Sequence, residues 1–126
     1  FSVREGEPFQ IDLRPMVRAM VEDLNEKMPA GKISTKFHNT VIAFMAECAR
    51  RATGISGLSR VALTGGCFAN RYLTIGLERK LTSMGLDVLR HRQVPCNDGG
   101  VALGQAAVAA WRSVHAKDNL SNQGAD

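Results

Sequence analysis

Residues 59–104 read SRVALTGGCFANRYLTIGLERKLTSMGLDVLRHRQVPCNDGGVALG, and this stretch decides the fold. Two short apolar runs each end in a polar loop that contains a glycine pair, at residues 64–70 and 95–100. Each loop leads into a helical pattern of apolar residues. Strand, helix, strand, helix in this order predicts a right-handed βαβ unit, because parallel neighbours need a long crossover connection.

The apolar residues of this stretch predict the limits of its elements. Residues 61–63 are a short apolar run typical of a buried parallel strand, and residues 87–91, which contain Val88 and Leu89, predict a second strand. Between them, residues 70–84 predict a helix that ends at Gly85 and buries one face. That face consists of Leu73, Leu77, Leu81 and Met84. Residues 99–114 predict a last helix whose small side chains allow close packing on a sheet, with Trp111 as an anchor at its far end.

Two further helices are predicted upstream of the βαβ unit. Residues 1–8 are polar and predict irregular structure, and residues 9–13 alternate as a short strand does. Asp12 is the predicted cap of a helix that has Pro15 in its first turn and stops before Pro29. Its predicted buried stripe is Met16, Val17, Met20, Val21 and Leu24. The second helix is predicted to begin at a Ser34 or Thr35 cap and to end at Gly54. Its predicted stripe is Phe37, Val41, Phe44, Met45, Cys48 and Ala52.

Composition limits the cellular compartment and the kinds of ligand that the sequence favours. The chain has 126 residues, 44% of them hydrophobic, with a net charge of +4, and no apolar run approaches the length of a membrane span. Its three cysteines include no CxxC pair and do not suggest a disulfide framework, which favours a reducing cytoplasm. The basic residues are dispersed and aromatic residues make up only 6%, so nucleic-acid binding is not favoured.

The predicted sheet is thin, which favours a piece of a larger α/β domain. We expect residues 1–115 to form one lobe fragment and residues 116–126 to form a flexible tail. The chain begins at Phe1 with neither an initiator Met nor a signal-peptide pattern. This start favours a cut from a longer protein, although processing would produce the same start.

Both glycine loops follow the carboxyl ends of predicted parallel strands, where α/β proteins bind ligands. The helix N-termini after them present free N–H groups that suit a phosphate or another anion. Neither loop contains GxxxxGK[ST] or GxGxxG, so a Walker loop is excluded and a nicotinamide cofactor is not favoured. Two equivalent loops after adjacent strands indicate a nucleotide site of another kind.

The polar residues of the loops have two interpretations each. Asp98 is either a ligand for a hard cation or the cap of the last helix, and Asn70 is either a cap or a contact to ribose or phosphate. For Cys67 a packing role is favoured over a nucleophilic one, because no histidine is adjacent in sequence. His38 is interpreted as a structural hydrogen-bonding group, and Cys48 as a small buried hydrophobe. No catalytic residue is identified.

Three motifs resemble the C-terminal part of the HypF carbamoyltransferase family of [NiFe]-hydrogenase maturation. They are FHNT at residues 37–40, LTGGCFANRYL at 63–73 and VPCNDGGVALGQA at 94–106. The resemblance implies part of the second lobe of an actin/hexokinase-like ATPase fold. The family uses carbamoyl phosphate and ATP to carbamoylate, through carbamoyl-adenylate, the C-terminal Cys thiol of its partner HypE. The partner then supplies the nucleophile.

The same resemblance implies which residues of this chain form a site. Nucleotide contacts fall on Gly65, Gly66, Asn70, Gly99 and Gly100. Asp98 becomes a ligand of a divalent metal, iron or zinc, whose other ligands lie outside this chain. The resemblance also implies upstream domains of the same protein and an isolated fragment that is inactive.

Two other functions are carried as alternatives. One is a relative of the transferases that make threonylcarbamoyl-adenosine in tRNA, which share the Gly-Gly…Asn loop and a loop Asp. Those transferases usually carry Asp-Asn where this chain has Asn97 and Asp98. The other is a non-catalytic α/β interaction module that has kept the fold and lost the site.

Overall fold

The computed structural model describes the backbone of residues 1–121 and the side chains of residues 1–115. Its elements are β1 (Ser2–Arg4), β2 (Gln10–Asp12), α1 (Arg14–Asn25), α2 (Ala30–Ser56), β3 (Arg60–Leu63), α3 (Arg71–Ser83), β4 (Asp87–Arg90) and α4 (Val101–Ser121). Short 3₁₀ turns, Gly66–Ala69 and Asp98–Gly100, lead into α3 and α4.

The predicted βαβ unit is present. Strands β3 and β4 pair in parallel, with Val61 opposite Val88, and α3 forms the crossover between them. Gly85 follows α3 in the left-handed region at φ +81°, which suits a glycine after a helix end. Both glycine loops therefore leave the same edge of the sheet, as the order of elements predicted.

The main core lies between α2, α3 and this two-stranded sheet. Its buried residues are Ala46, Leu63, Leu77 and Leu81. Leu81 has no exposed surface, and Leu73 is buried one turn before Leu77. The predicted inner face of α3 is thus confirmed, with Met84 partly buried at its end.

Helix α2 is longer at both ends than predicted. It begins after Pro29, and the Thr35 hydroxyl donates to the carbonyl of Gly31 inside the first turns, so neither Ser34 nor Thr35 is its cap. It ends at Ser56 and is capped by Gly57, which adopts φ +71°, whereas Gly54 lies within the helix. Proline suits a helix start because the missing N–H costs nothing there, and this outweighed the capping signal of the hydroxyl residues.

Helix α2 packs against two neighbours with two different apolar faces, whereas the sequence predicted a single buried stripe. The face that meets the core carries Ile42, Met45, Ala46 and Ala49, of which only Met45 belongs to the predicted stripe. Phe44 instead packs edge-on against Phe1, with ring centroids 6.2 Å apart. A helix covered on two sides needs apolar residues over a wider arc than a single amphipathic stripe supplies.

Residues 1–8, predicted to be irregular, contain strand β1, which pairs with β2 as an antiparallel hairpin. The predicted strand at residues 9–13 is confirmed as β2. The hairpin is tied to α2 because both guanidinium arms of Arg51 donate to the Glu5 carboxylate at 2.9 Å. Asp12 accepts the Arg14 backbone N–H at 3.0 Å but stands one residue ahead of the actual N-cap, Leu13.

Helices α1 and α4 expose apolar residues that were predicted to be buried. On α1, Val17, Val21 and Leu24 are 50–61% exposed, and every described side chain of α4 is exposed, including Trp111. The described residues contain nothing that covers these faces, so periodicity alone overstated their burial. None of the described helices is both long and apolar enough to span a membrane.

The last helix also runs further than predicted. Its backbone is helical through Ser121, although a flexible tail was predicted from residue 116 onwards. Residues 122–126, the remainder of that predicted tail, lie outside the described residues.

Candidate functional site

The two glycine loops contact each other directly at the edge of the sheet. The Gly65 N–H donates to the Cys96 carbonyl at 2.8 Å. A second link joins the strand ends, because His91 Nε2 and the Thr64 hydroxyl share a hydrogen bond of 3.0 Å. A backbone bond of this kind keeps the two loops, and the starts of α3 and α4 that follow them, beside one another, so that both could contact the same ligand.

Two of the glycines are required by the shape of the loops. Gly65 has φ +107°, a backbone conformation that L-residues rarely adopt. A Cβ on Gly100 would lie 2.8 Å from the Pro95 carbonyl oxygen and 3.0 Å from Cγ1 of Val94. The loop therefore folds back over its own helix start, and only a glycine allows that approach.

Asn70 caps helix α3, and its side chain is held from two sides. Its Oδ1 accepts the Leu73 backbone N–H at 3.1 Å, which satisfies one of the free donors at the helix start. Its Nδ2 donates to His38 Nε2 at 2.9 Å, and the residue remains exposed at the loop surface. The capping interpretation is confirmed, and one amide N–H of Asn70 still has no partner among the described residues.

At the second loop the cap is Asn97, not Asp98. Asn97 Oδ1 accepts the Gly99 N–H at 3.1 Å, whereas the exposed Asp98 carboxylate makes no hydrogen bond or ion pair within the described part of the chain. Of the two interpretations of Asp98, the cap is therefore excluded. A ligand role stays a prediction.

An open cleft borders both loops. It has a volume of about 580 Å³ and is lined in part by Phe68, Pro95 and Cys96. Three basic side chains from the end of β4 and the residues after it, Arg90, His91 and Arg92, line its other side. Arg90 is paired with Glu78 at 3.2 Å and His91 is bonded to Thr64, so Arg92 is the one of the three that has no partner among the described residues. Its positive charge beside two helix N-termini favours an anionic ligand.

A complete metal centre is not present among the described residues. No three His, Cys, Asp or Glu side chains there lie close enough together to hold an ion. Asp98 offers one hard oxygen ligand at the loop surface, which fits a divalent cation only in combination with ligands from elsewhere.

No pair of nucleophile and base is formed in the part of the chain that the structure describes. His38 and His91 are engaged by Asn70 and Thr64, while His115 stacks on Trp111 with ring centroids 4.2 Å apart. Cys67 is exposed, so its predicted packing role is wrong, because the 3₁₀ turn that carries it lies at the loop surface.

On α2, Cys48 is half-buried, and burial raises the pKa of its thiol. It is thus less deeply buried than predicted. A raised thiol pKa reduces the thiolate fraction at neutral pH, which makes Cys48 a poor candidate for a nucleophile.

One residue of the site was not assigned by sequence reasoning. His38 lies on α2, 32 positions before Asn70, and the sequence predicted only that it forms a structural hydrogen bond. That prediction is confirmed, but its partner could not be read from spacing. The available signal was the FHNT motif itself, which is one of the three motifs that carry the family resemblance.

Comparison with known proteins gives one matching family and several relatives. The family model described as "Carbamoyltransferase, Kae1-like Domain, second subdomain" matches residues 1–105. The carbamoyltransferase HypF of Rhizobium leguminosarum bv. viciae is 40% identical over 110 residues, covering 86% of this chain and 14% of its own length. A more distant relative, the tRNA N6-adenosine threonylcarbamoyltransferase of Parasynechococcus marenigrum, is 27% identical over 115 residues, which are 87% of this chain and 32% of that protein.

The fold agrees with a solved structure. A crystal structure of full-length HypF in the phosphate- and nucleotide-bound form superimposes with a TM-score of 0.79 at 39% identity. The match covers 86% of this chain and 14% of that protein. The chain therefore spans about one seventh of the length of its HypF relatives.

Proposed function

The chain belongs to the carbamoyltransferase family that includes HypF, and we propose that its two glycine loops form half of a nucleotide site used in carbamoyl transfer. The observation that carries the proposal is the hydrogen bond from Gly65 to Cys96, which joins the two loops at one edge of the sheet. The similar HypF structure is described as phosphate- and nucleotide-bound, which supports a nucleotide as the ligand.

In this proposal the nucleotide lies across the N-termini of α3 and α4. The backbone of Gly65 and Gly66 and the side-chain amide of Asn70 contact it from the first loop, and Gly99 and Gly100 line its phosphate side. The Gly65 N–H is not one of these contacts, because it is donated to the Cys96 carbonyl. In this proposal the segment is part of the second lobe of an actin/hexokinase-like ATPase fold, which the Kae1-like description of the family model supports. The remaining contacts come from upstream domains.

Asp98 is the proposed ligand of a divalent metal, iron or zinc. Its exposed carboxylate has no other partner within the described residues, and the further ligands would have to come from outside this chain. Such an ion would neutralise charge on the phosphates.

The proposed reaction uses carbamoyl phosphate and ATP and passes the carbamoyl group through carbamoyl-adenylate to the C-terminal Cys thiol of HypE. The partner's thiolate attacks the carbamoyl carbon, the bond to the nucleotide phosphate breaks, and AMP leaves. Helix N-termini that face the phosphate stabilise the charge that develops on it, so this chain contributes by electrostatics and not by a nucleophile. We propose a cytoplasmic setting, because free thiols persist there.

The test uses a full-length carbamoyltransferase that carries this segment. Asp98→Ala and Asn70→Ala should each reduce carbamoyl transfer to the thiol acceptor to background, because each removes a side chain from the phosphate or metal side of the site. Transfer is measured by mass spectrometry of the acceptor after incubation with carbamoyl phosphate and ATP.

The matched control is Asp87→Ala. Asp87 is also an exposed carboxylate, but it begins β4 at the opposite edge of the sheet, where it pairs with Arg60 at 2.7 Å. This variant should retain transfer. Full activity of both loop variants, with folding intact, would favour the non-catalytic interaction module instead.

A relative of the tRNA threonylcarbamoyl transferases is the second candidate, supported by the 27% identity to one such protein. The 40% identity to HypF makes a thiol acceptor the stronger proposal. Activity of the same full-length protein on tRNA, and none on the thiol acceptor, would reverse that order.

A further inference from the structure

Residues 37–40, the FHNT motif of α2, have no role in the proposed function, yet one of them contacts the first loop. His38 Nδ1 lies 2.8 Å from the Ser34 carbonyl oxygen, which can only accept a hydrogen bond. In the neutral ring the proton is therefore on Nδ1, and Nε2 carries the lone pair. Nε2 is the atom that faces the Asn70 amide, 2.9 Å away.

These partners fix the orientation of the Asn70 side chain. With Nε2 of His38 as an acceptor, Asn70 must present Nδ2 to it and Oδ1 to the Leu73 N–H. A flipped amide would set two donors against each other at Leu73 and two acceptors against each other at His38. The assignment follows from this pattern of partners, and either partner alone would leave the amide freer to turn.

The imidazole is itself held in place by neighbouring rings. Phe37 packs against it at 5.3 Å between centroids, and Tyr72 packs against it at 5.6 Å. Tyr72 lies in the first turn of α3, and its hydroxyl donates to Asn39 Oδ1 at 2.9 Å. The motif on α2 is thus attached to the start of α3 by two hydrogen bonds, one donated by the Asn70 amide and one donated by the Tyr72 hydroxyl.

We propose that His38 is a positioning residue that fixes the Asn70 amide so that its second N–H points at an oxygen of the bound nucleotide. The proposal rests on the proposed function, because it requires Asn70 to contact the nucleotide. An amide oriented before binding loses less freedom when the ligand arrives, and that increases affinity. His38 itself does not touch the ligand.

The experiment measures the affinity of a non-hydrolysable ATP analogue by isothermal titration calorimetry, in a full-length carbamoyltransferase that carries this segment. His38→Ala should weaken binding about three- to tenfold, the effect of one neutral hydrogen bond. In an Asn70→Ala background the same substitution should not weaken binding further, because His38 acts on the ligand only through the Asn70 side chain. A merely structural role would weaken binding in both backgrounds.

Two conservative variants separate the hydrogen bond from the volume of the ring. A glutamine amide oxygen reaches the position of Nε2, whereas an asparagine amide reaches only that of Nδ1. His38→Gln should therefore bind the analogue nearly as wild type, and His38→Asn should bind as weakly as His38→Ala. This comparison holds even where His38→Ala folds poorly.

The outcomes distinguish this proposal from the proposed function. Unchanged affinity in Asn70→Ala alone would refute the contact between Asn70 and the nucleotide, and with it the premise. Weak binding in Asn70→Ala combined with normal binding in His38→Ala would overturn the positioning role alone. Equal affinities of His38→Gln and His38→Asn would also overturn it.

Discussion

At the scale of the residue, Gly100 shows how the second loop depends on a single missing side chain. A methyl group there would meet a backbone oxygen, that of Pro95, which cannot rotate away as a side chain can. Gly104, one turn further along α4, has open space where a Cβ would be. The two glycines therefore have different reasons to be present, although both lie in one Gly- and Ala-rich run.

We expect Gly100→Ala to destabilise the loop by about 1–3 kcal/mol, the usual cost of overpacking. The effect should appear as faster hydrogen exchange of the Gly65 amide, because the loop that accepts its hydrogen bond would be displaced. The matched control, Gly104→Ala, should leave that exchange unchanged and favour the helix by up to about 1 kcal/mol. Equal exchange rates in the two variants would contradict the steric argument.

At the scale of the element, the approach of α2 to α3 is set by Gly76. A Cβ on Gly76 would overlap Cδ1 of Ile42, so the two helices are as close as these side chains permit. Because α3 carries Asn70 at its start and α2 carries His38, this packing also sets the distance between the two site residues.

Gly76→Ala should lower the free energy of unfolding by about 1–3 kcal/mol through overpacking, measured by urea denaturation. Ile42→Val removes the overlapping methyl group and should by itself cost about 0.5–1.5 kcal/mol. Combined, the two changes should cost clearly less than their sum. Gly54→Ala is the control, since that glycine lies within α2 and has no atom within 4 Å of a Cβ. Additive costs would show that Gly76 and Ile42 are not in contact.

At the scale of the whole molecule, an ion-pair network attaches the N-terminal hairpin to the rest of the chain. Glu47 accepts from Arg50 and Arg51 at 2.7 Å, and Arg51 continues to Glu5 in the hairpin loop. The Arg51 guanidinium also lies 5.2 Å from the ring of Phe9. Hydrogen bonds from Arg50 and then Arg51 lower the pKa of Glu47 from 4.5 to about 2.

This pKa predicts an acid-sensitive attachment. Because the folded-state pKa lies below the unfolded one, the contribution of Glu47 is fully present above pH 4.5 and is lost as the pH falls towards 2. The melting temperature of wild type should therefore fall more steeply over that range than that of Glu47→Gln. Glu22→Gln, at a carboxylate with no ion pair in the described residues, should parallel wild type. Parallel profiles of wild type and Glu47→Gln would refute the prediction.

Much of the centre of the fold could be predicted from sequence. The βαβ order, the buried face of α3 and the edge to which both loops belong follow from patterns within a few residues. Apolar spacing, helix-ending glycines and short apolar runs act locally, so they can be recognised without knowledge of distant contacts. The predicted cap at Asn70 is local in the same way, because it involves only Leu73.

Other features were decided by contacts between distant parts of the chain. The hairpin at residues 1–12, the second apolar face of α2 and the exposure of α1 and α4 depend on which neighbours cover each surface.

What the sequence by itself determined about this protein is its family, its parallel βαβ unit and the loops that would hold a ligand. Only the tertiary structure showed that the loops are bonded to each other and that His38 faces Asn70 across 32 residues. The physical reason is that a hydrogen bond between distant residues depends on how two separate elements are placed and oriented relative to each other. A local sequence pattern specifies only the element that contains it.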